Sequence, residues 1–328
     1  MIRSDLGLGA VAALLAGALL SPTVPAFGEE LSAREWLARM SDALSTRSYE
    51  GDFLHLVNGQ VEPMRILHRV SHGHVTERLI SMSGSGREVI RNDHGVYCYL
   101  PDHKKVLVEA RDEHEALLGA LPVASAELDD SYRVENIGRR PSTIGRPARI
   151  VAVTPKDGFR FGHRLWIDEA SHLPVRTDLC DREGHVLEQV LFTRLVVDKP
   201  LSEDALKTGV DATGFSWIRQ GPPPHVFEMS AWRLSHLPPG FHVSATAQEL
   251  MLGGNRPVTH MVVTDGFASV SVFIADPDGK PTEGQGQLGS SYAYSTVISG
   301  HQVTAVGEVP AATVEAIASG VEASGDPH

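Results

Sequence analysis

Beyond Leu20 this chain has no apolar run of the roughly 20 residues that a membrane-spanning helix needs. Cysteine is almost missing as well. The two present, Cys98 and Cys180, are too few for a disulfide framework and too far apart in sequence for a zinc site. Positive charge is also short, with 29 Lys and Arg against 41 Asp and Glu and a net charge of −12. That balance argues against nucleic acid and against electrostatic docking on anionic lipid head groups, and it favours a partner that carries a basic segment.

The motifs of catalysis are missing too. Ser83-Gly-Ser-Gly86 lacks the spacing of a nucleophile elbow and joins two alternating segments, so it reads as a hairpin turn. Gly284-Gln-Gly-Gln-Leu-Gly289 has the letters of a dinucleotide fingerprint without the strand and helix that would give them meaning, and it reads as a flexible loop. Asp276-Pro-Asp-Gly279 lacks the remaining ligands of a calcium loop. His68, His72 and His74 are close in sequence, yet Gly73 interrupts them at a turn and no H-E-x-x-H pattern supports them. No catalytic residue, metal or cofactor is predicted. Of the four tryptophans, Trp36, Trp166 and Trp232 read as packing residues, and Trp217 stands apart in a linker with no sheet to serve.

What the chain does have begins at its start. Arg3, the apolar stretch from Leu6 to Leu20 and the small residues Ala26 and Gly28 have the layout of a secretory signal peptide over residues 1–28. The alternative is an uncleaved anchor. Export places the two cysteines in an oxidising compartment, where they either pair as a disulfide or remain as two buried thiols.

Trp36, Leu37, Met40, Ala43 and Leu44 recur at helical spacing, with Ser32 and Glu35 as a capping box. The period then changes to two. Alternating segments run from Gly51 to Val108 and from Tyr132 to Val197, with a helical interlude over residues 112–121. Nine or ten consecutive strands with two helices predict a curved, half-open antiparallel barrel over residues 29–200, with the helices in its concave face. A Pro- and Gly-rich linker follows over residues 201–225. Residues 226–321 predict a smaller antiparallel sheet-and-helix domain, and residues 322–328 a disordered tail. The fold class is α+β. An open apolar cleft without a catalytic set implies binding, not turnover.

Several blocks of residues carry a family resemblance. Tyr49-Glu-Gly-Asp-Phe53, Arg65-Ile-Leu-His68, Glu77-Arg-Leu79 and Gly86-Arg-Glu-Val89 resemble the first half of the RseB/MucB proteins. A second group is Pro155-Lys-Asp157, Arg160-Phe-Gly162, Leu165-Trp-Ile-Asp168, Leu173-Pro174, Asp181-Arg-Glu-Gly184 and Leu187-Glu-Gln189. Trp232, Leu237-Pro-Pro-Gly-Phe241 and Gly307-Glu-Val-Pro310 resemble that family's C-terminal domain.

The resemblance implies a periplasmic regulator of sigma-E or AlgU envelope-stress signalling, with an N-terminal domain similar to the lipoprotein carriers. Its implied partners are the periplasmic part of an anti-sigma factor similar to RseA or MucA and a lipopolysaccharide or other acylated ligand; the oligomeric state is left open by the sequence, with a homodimer as one option. Strand alternation nominates Met64, Ile66, Leu79, Ile80, Met82, Val89, Leu165 and Leu173 as the cleft lining. Trp217, Trp232 and Phe241 are the candidate partner contacts. A lipid or lipoprotein carrier without an anti-sigma partner is the main competing reading, and a hydrolase with a dispersed site is a second.

Overall fold

The computed structural model describes residues 30–84, 86–109, 128–219, 231–250, 256–277 and 279–324. The segments assigned from sequence to a signal peptide and to the helix over residues 112–121 lie outside these. Helix α1 (Ala33–Thr46) is set by its capping box: Ser32 Oγ accepts from Glu35 N–H at 3.2 Å while Glu35 Oε2 accepts from Ser32 N–H at 2.7 Å. It buries Trp36, Leu37, Met40 and Ala43.

The chain then enters a long meander. Its first part is β1 (Tyr49–Val57), β2 (Gln60–Ser71), β3 (His74–Ser81), β4 (Glu88–Asn92), β5 (Gly95–Leu100) and β6 (Lys105–Glu109). After the short α2 (Leu128–Ser131) come β7 (Tyr132–Pro141), β8 (Pro147–Pro155), β9 (Gly162–Asp168), β10 (Pro174–Cys180), β11 (Val186–Val197) and β12 (Ser216–Arg219). Hairpin chemistry is local: Asn58-Gly59 and His72-Gly73 both hold positive φ, as tight two-residue turns require.

These strands form one 12-stranded sheet in the order β12-β6-β5-β4-β3-β2-β1-β11-β10-β9-β8-β7. It is not closed by hydrogen bonds, since β12 and β7 are separate edges. Curvature follows from α1, which touches β7 and β8 while its Ala43 packs with Tyr49, Met64 and Ile66 of β1 and β2. A helix about 10 Å wide reaches strands so far apart in the order only if the sheet wraps around it.

The smaller domain contains β13 (Trp232–Leu234), β14 (His242–Leu250), β15 (Pro257–Thr264), β16 (Ser269–Ala275), β17 (Gly284–Leu288), β18 (Ser291–Ile298), β19 (His301–Gly307), α3 (Ala311–Ser319) and β20 (Val321–Ala323). Six of these strands make a sheet in the order β14-β15-β16-β19-β18-β17, and β13 pairs with β20. Helix α3 places Val314, Ile317 and Ala318 on Val270, Val272 and Val303 of that sheet.

Three expectations are corrected. Residues 284–288 form the edge strand β17, fully paired to β18, instead of a flexible loop. All its side chains are exposed, so it is held by backbone pairing, with Gln285 Nε2 donating to Glu315 at 3.2 Å, and no alternation marks it. The first part of the expected linker is packed structure: Leu206 is buried, and Val210, Ala212 and Phe215 cover Ile90, Tyr99, Val106 and Val108 on the outer sheet face. Its last described residues, including Trp217, form β12 beside β6. Within the expected disordered tail, Glu322 and Ala323 belong to β20, and Glu322 pairs with Arg233 at 2.5 Å.

Candidate binding surfaces and the domain seam

Strand register decides which side chains share the concave face. Ile66 pairs with Leu79, Leu79 with Val89, Val89 with Cys98 and Cys98 with Leu107, so these five form one row across β2 to β6. Ile66 is fully buried, whereas Leu79, Val89, Cys98 and Leu107 are only half-buried. Met64, Ile66 and Leu173 come together in a core cluster with Ala43, Tyr49, Phe53 and Phe192, and Leu79 packs on its margin. Leu165 is fully buried between Val151 and Thr177 of the neighbouring strands.

The remaining nominees are elsewhere. Ile80 registers with Arg65 and Glu88, which places it on the outer face. Met82, just past β3, is 53 % exposed and donates its N–H to Pro63 O at 2.8 Å. The eight nominated residues thus split into packed core, a half-buried row and outer surface.

Next to the apolar row is a buried ionic one. His68 Nδ1 is 2.8 Å from Glu77 Oε1, Arg91 donates to Glu77 Oε2 at 3.0 Å, and the Tyr49 ring stacks on His68 at 4.6 Å. Burial works to raise the Glu77 carboxyl, but His68 and Arg91 hold it below the usual carboxylate range. His72 occupies the hairpin turn and His74 pairs with Asp93 at 2.8 Å, so the three sequence-adjacent histidines do not converge. Asp181, Glu183 and His185 do bring three ligand atoms within 4.8 Å at the β10–β11 turn, where Glu183 and His185 are exposed. A pocket of about 300 Å³ opens on the outer face, lined by Arg69, Thr76, Ile90, Asn92 and Leu206 among others.

Of the candidate partner contacts, Trp217 is 45 % exposed, edge-on to Tyr99 at 6.2 Å. Trp232 packs against the core of the smaller domain and meets His301 edge-on at 4.9 Å. Phe241 is buried, with the Arg160 guanidinium 4.6 Å above its ring. Cys98 and Cys180 form no disulfide with each other: they lie on β5 and β10, with five strands between them in the sheet order. Burial pushes the Cys180 thiol up from its ordinary value.

Sequence reasoning missed the residues that join the two domains. The side chain of Arg160, just before β9, is completely buried and pairs with Asp265 and Asp157 while donating to Pro239 O at 2.5 Å. Asp265 also accepts from Tyr132 Oη at 3.3 Å and from the N–H groups of Phe267 and Ala268 at 2.9 and 2.7 Å. Gly240 has φ +81°, and a Cβ there would come within 2.8 Å of the Arg160 guanidinium, so glycine is needed at that approach.

The second contact is built on the row Val57, Glu188, Leu179 and His163 of β1, β11, β10 and β9. His55 Nε2 lies 2.8 Å from Glu188 Oε1, and Ser290 Oγ lies 2.5 Å from Glu188 and 2.6 Å from Glu308. His163 packs on Phe267 at 4.8 Å, and burial lowers its pKa to about 4. The signal was present in the sequence. Arg160, Glu188 and Glu308 each fall inside a block that carried the family resemblance, though none bears a catalytic or metal pattern.

Comparison with known proteins agrees along the chain. Residues 32–210 match the profile of the MucB/RseB N-terminal domain and residues 227–322 that of the MucB/RseB C-terminal domain. The Sigma factor AlgU regulatory protein MucB of Pseudomonas aeruginosa is 33% identical over 312 residues, covering 93% of this chain and 94% of that protein. The Sigma-E factor regulatory protein RseB of Haemophilus influenzae is 25% identical over 298 residues, covering 90% and 93%. Among solved structures, the Pseudomonas aeruginosa MucA/MucB complex superposes with a TM-score of 0.69 at 30% identity, covering 89% of this chain and 98% of the matched one.

Proposed function

Because this chain belongs to the MucB/RseB family, we propose that it is a periplasmic regulator that binds the periplasmic segment of a membrane-bound anti-sigma factor. Binding shields that segment from regulated proteolysis, and lipopolysaccharide or another acylated ligand releases it. The observation that carries this reading is the match in both domains to MucB, a protein whose structure is known in complex with MucA. No helix among the described residues is long and apolar enough to cross a membrane. The chain acts by binding, without catalysis.

Release works by linkage. A ligand that prefers the free regulator weakens the complex by the same factor by which the partner weakens ligand binding. A decisive shift takes about 5 kcal/mol of preference, which an acyl chain supplies at about 0.8 kcal/mol per buried methylene. The half-buried row of Leu79, Val89 and Leu107 is the seat we assign to such a chain, since Met64, Ile66, Leu165 and Leu173 are already packed.

The test is protection. The anti-sigma segment is exposed to the protease that first cleaves it, with this protein and then with increasing lipopolysaccharide. Protection that lipopolysaccharide removes supports the reading. Protection that persists at saturating lipid contradicts release, and lipid binding with no protection favours a carrier.

A further inference from the structure

We propose that the contact of His55, Glu188, Ser290 and Glu308 is a proton-operated clasp between the two domains, which grips while one proton is shared between the two carboxyls and slackens when it leaves. The inference rests on the seam geometry and is independent of the anti-sigma reading.

Proton counting makes the case. Ser290 Oγ is within hydrogen-bond distance of both carboxyls, at 2.5 Å from Glu188 and 2.6 Å from Glu308. A serine hydroxyl has one proton to donate. For both contacts to be hydrogen bonds, one carboxyl must itself donate to Ser290 Oγ. Glu188 already faces His55 Nε2 at 2.8 Å, which favours its ionised form, so the carboxyl proton resides on Glu308. The two carboxyls are also within reach of each other. Both ionised, they would repel across the boundary.

The electrostatics point the same way. Burial, with the charge of Glu188, raises Glu308 above the ordinary carboxyl range. Burial also works to raise Glu188, but the hydrogen bonds from His55 and Ser290 outweigh it and hold Glu188 low. The bond to Glu188 raises His55, with Glu62 of β2 adding to this and Arg87, just before β4, opposing it. His163 of β9, the other titratable group facing Glu188, is neutral above about pH 4. Glu308 and His55 are therefore the groups whose charge changes as pH rises. Each has a folded pKa above its unfolded value, so each contributes stability at low pH that is lost as pH rises through the folded value. The two effects add, since Glu308 gains a charge that repels Glu188 while His55 loses the one that offset it.

The Arg160 guanidinium stays protonated throughout this range and keeps its pairing with Asp265 charged on that side. Slackening of the clasp therefore pivots the smaller domain about Arg160 instead of detaching it.

Hydrogen exchange of the full chain, corrected for intrinsic pH dependence, tests this. Protection of segments 53–57, 186–190 and 288–292 is expected to fall at least tenfold between pH 5 and pH 9, while protection of β15 and β16 holds. Glu308→Gln keeps a donor for Ser290 without a charge, and is expected to make the profile shallower, leaving the part that His55 contributes. A profile in Glu308→Gln as steep as in the parent, or a flat one in the parent, overturns the proposal. Infrared absorption of the unaltered protein gives an independent reading: a protonated carboxyl band that persists above the ordinary carboxyl range and disappears on raising the pH further supports the clasp, and no band persisting above that range refutes it.

Discussion

Among the contacts that join the domains, the polar ones at Arg160 and at Glu308 are built on opposite principles. At Arg160 a permanently charged guanidinium is surrounded by Asp265, Asp157, the Pro239 carbonyl and two aromatic rings. At Glu308 the charges depend on a proton, and the members are two carboxyls, a hydroxyl and a histidine that is about a quarter exposed. The first is a fixed rivet and the second an adjustable one. A two-domain binder benefits from both, because the rivet keeps the domains in register while the other contact sets how firmly they close.

The comparison fails most visibly if the rivet is weak. Arg160→Met leaves two carboxylates without their cation, one of them fully buried, and is expected to cost about 3–5 kcal/mol in denaturant unfolding at neutral pH. A loss under about 1 kcal/mol would remove Arg160 from its role.

Packing gives the next effect in size. Leu165→Ala, on the face that carries His163, is expected to cost about 2–5 kcal/mol. Met82→Ser on the outer face is expected to stay within about 0.5 kcal/mol. Equal costs in thermal melts would mean that the assignment of faces is wrong.

His163 sharpens the acid side. Its folded pKa of about 4 lies below the ordinary 6.5, so the unfolded chain takes up a proton first as pH falls. The stability contributed at neutral pH is then lost progressively between about 6.5 and 4, on the order of 2–3 kcal/mol in all. Unfolding of His163→Phe, followed across that window, is expected to lack most of this slope.

The smallest effect concerns sulfur. With no disulfide between Cys98 and Cys180, reductant is expected to leave the unfolding midpoint unchanged. A native disulfide would cost about 2–5 kcal/mol on reduction, so a clear fall would show that the two cysteines are bonded.

How much of this was legible follows from what side-chain patterns encode. The meander was readable because strands such as β1 and β9 alternate buried and more open positions between local turns, and α1 because its apolar stripe and capping box are local. Strands β12, β17 and β20 were not, since short or fully exposed edge strands are held by backbone pairing that leaves no period. The cleft list was half resolved. Alternation marks Leu79 and Ile80 as facing opposite ways, but only register with Ile66 and Arg65 says which way is inward. The seam was invisible to pattern because Arg160 and Asp265 are 105 residues apart in sequence and Glu188 and Ser290 are 102 apart.

The central claim is that the protein holds an anti-sigma segment and lets go of it on command. Calorimetric titration of the full chain with the periplasmic segment of the anti-sigma factor, without and then with saturating lipopolysaccharide, tests it most directly. Saturable binding that weakens at least tenfold in lipopolysaccharide is the expected result. No binding, or an affinity that lipopolysaccharide leaves unchanged, would contradict the account.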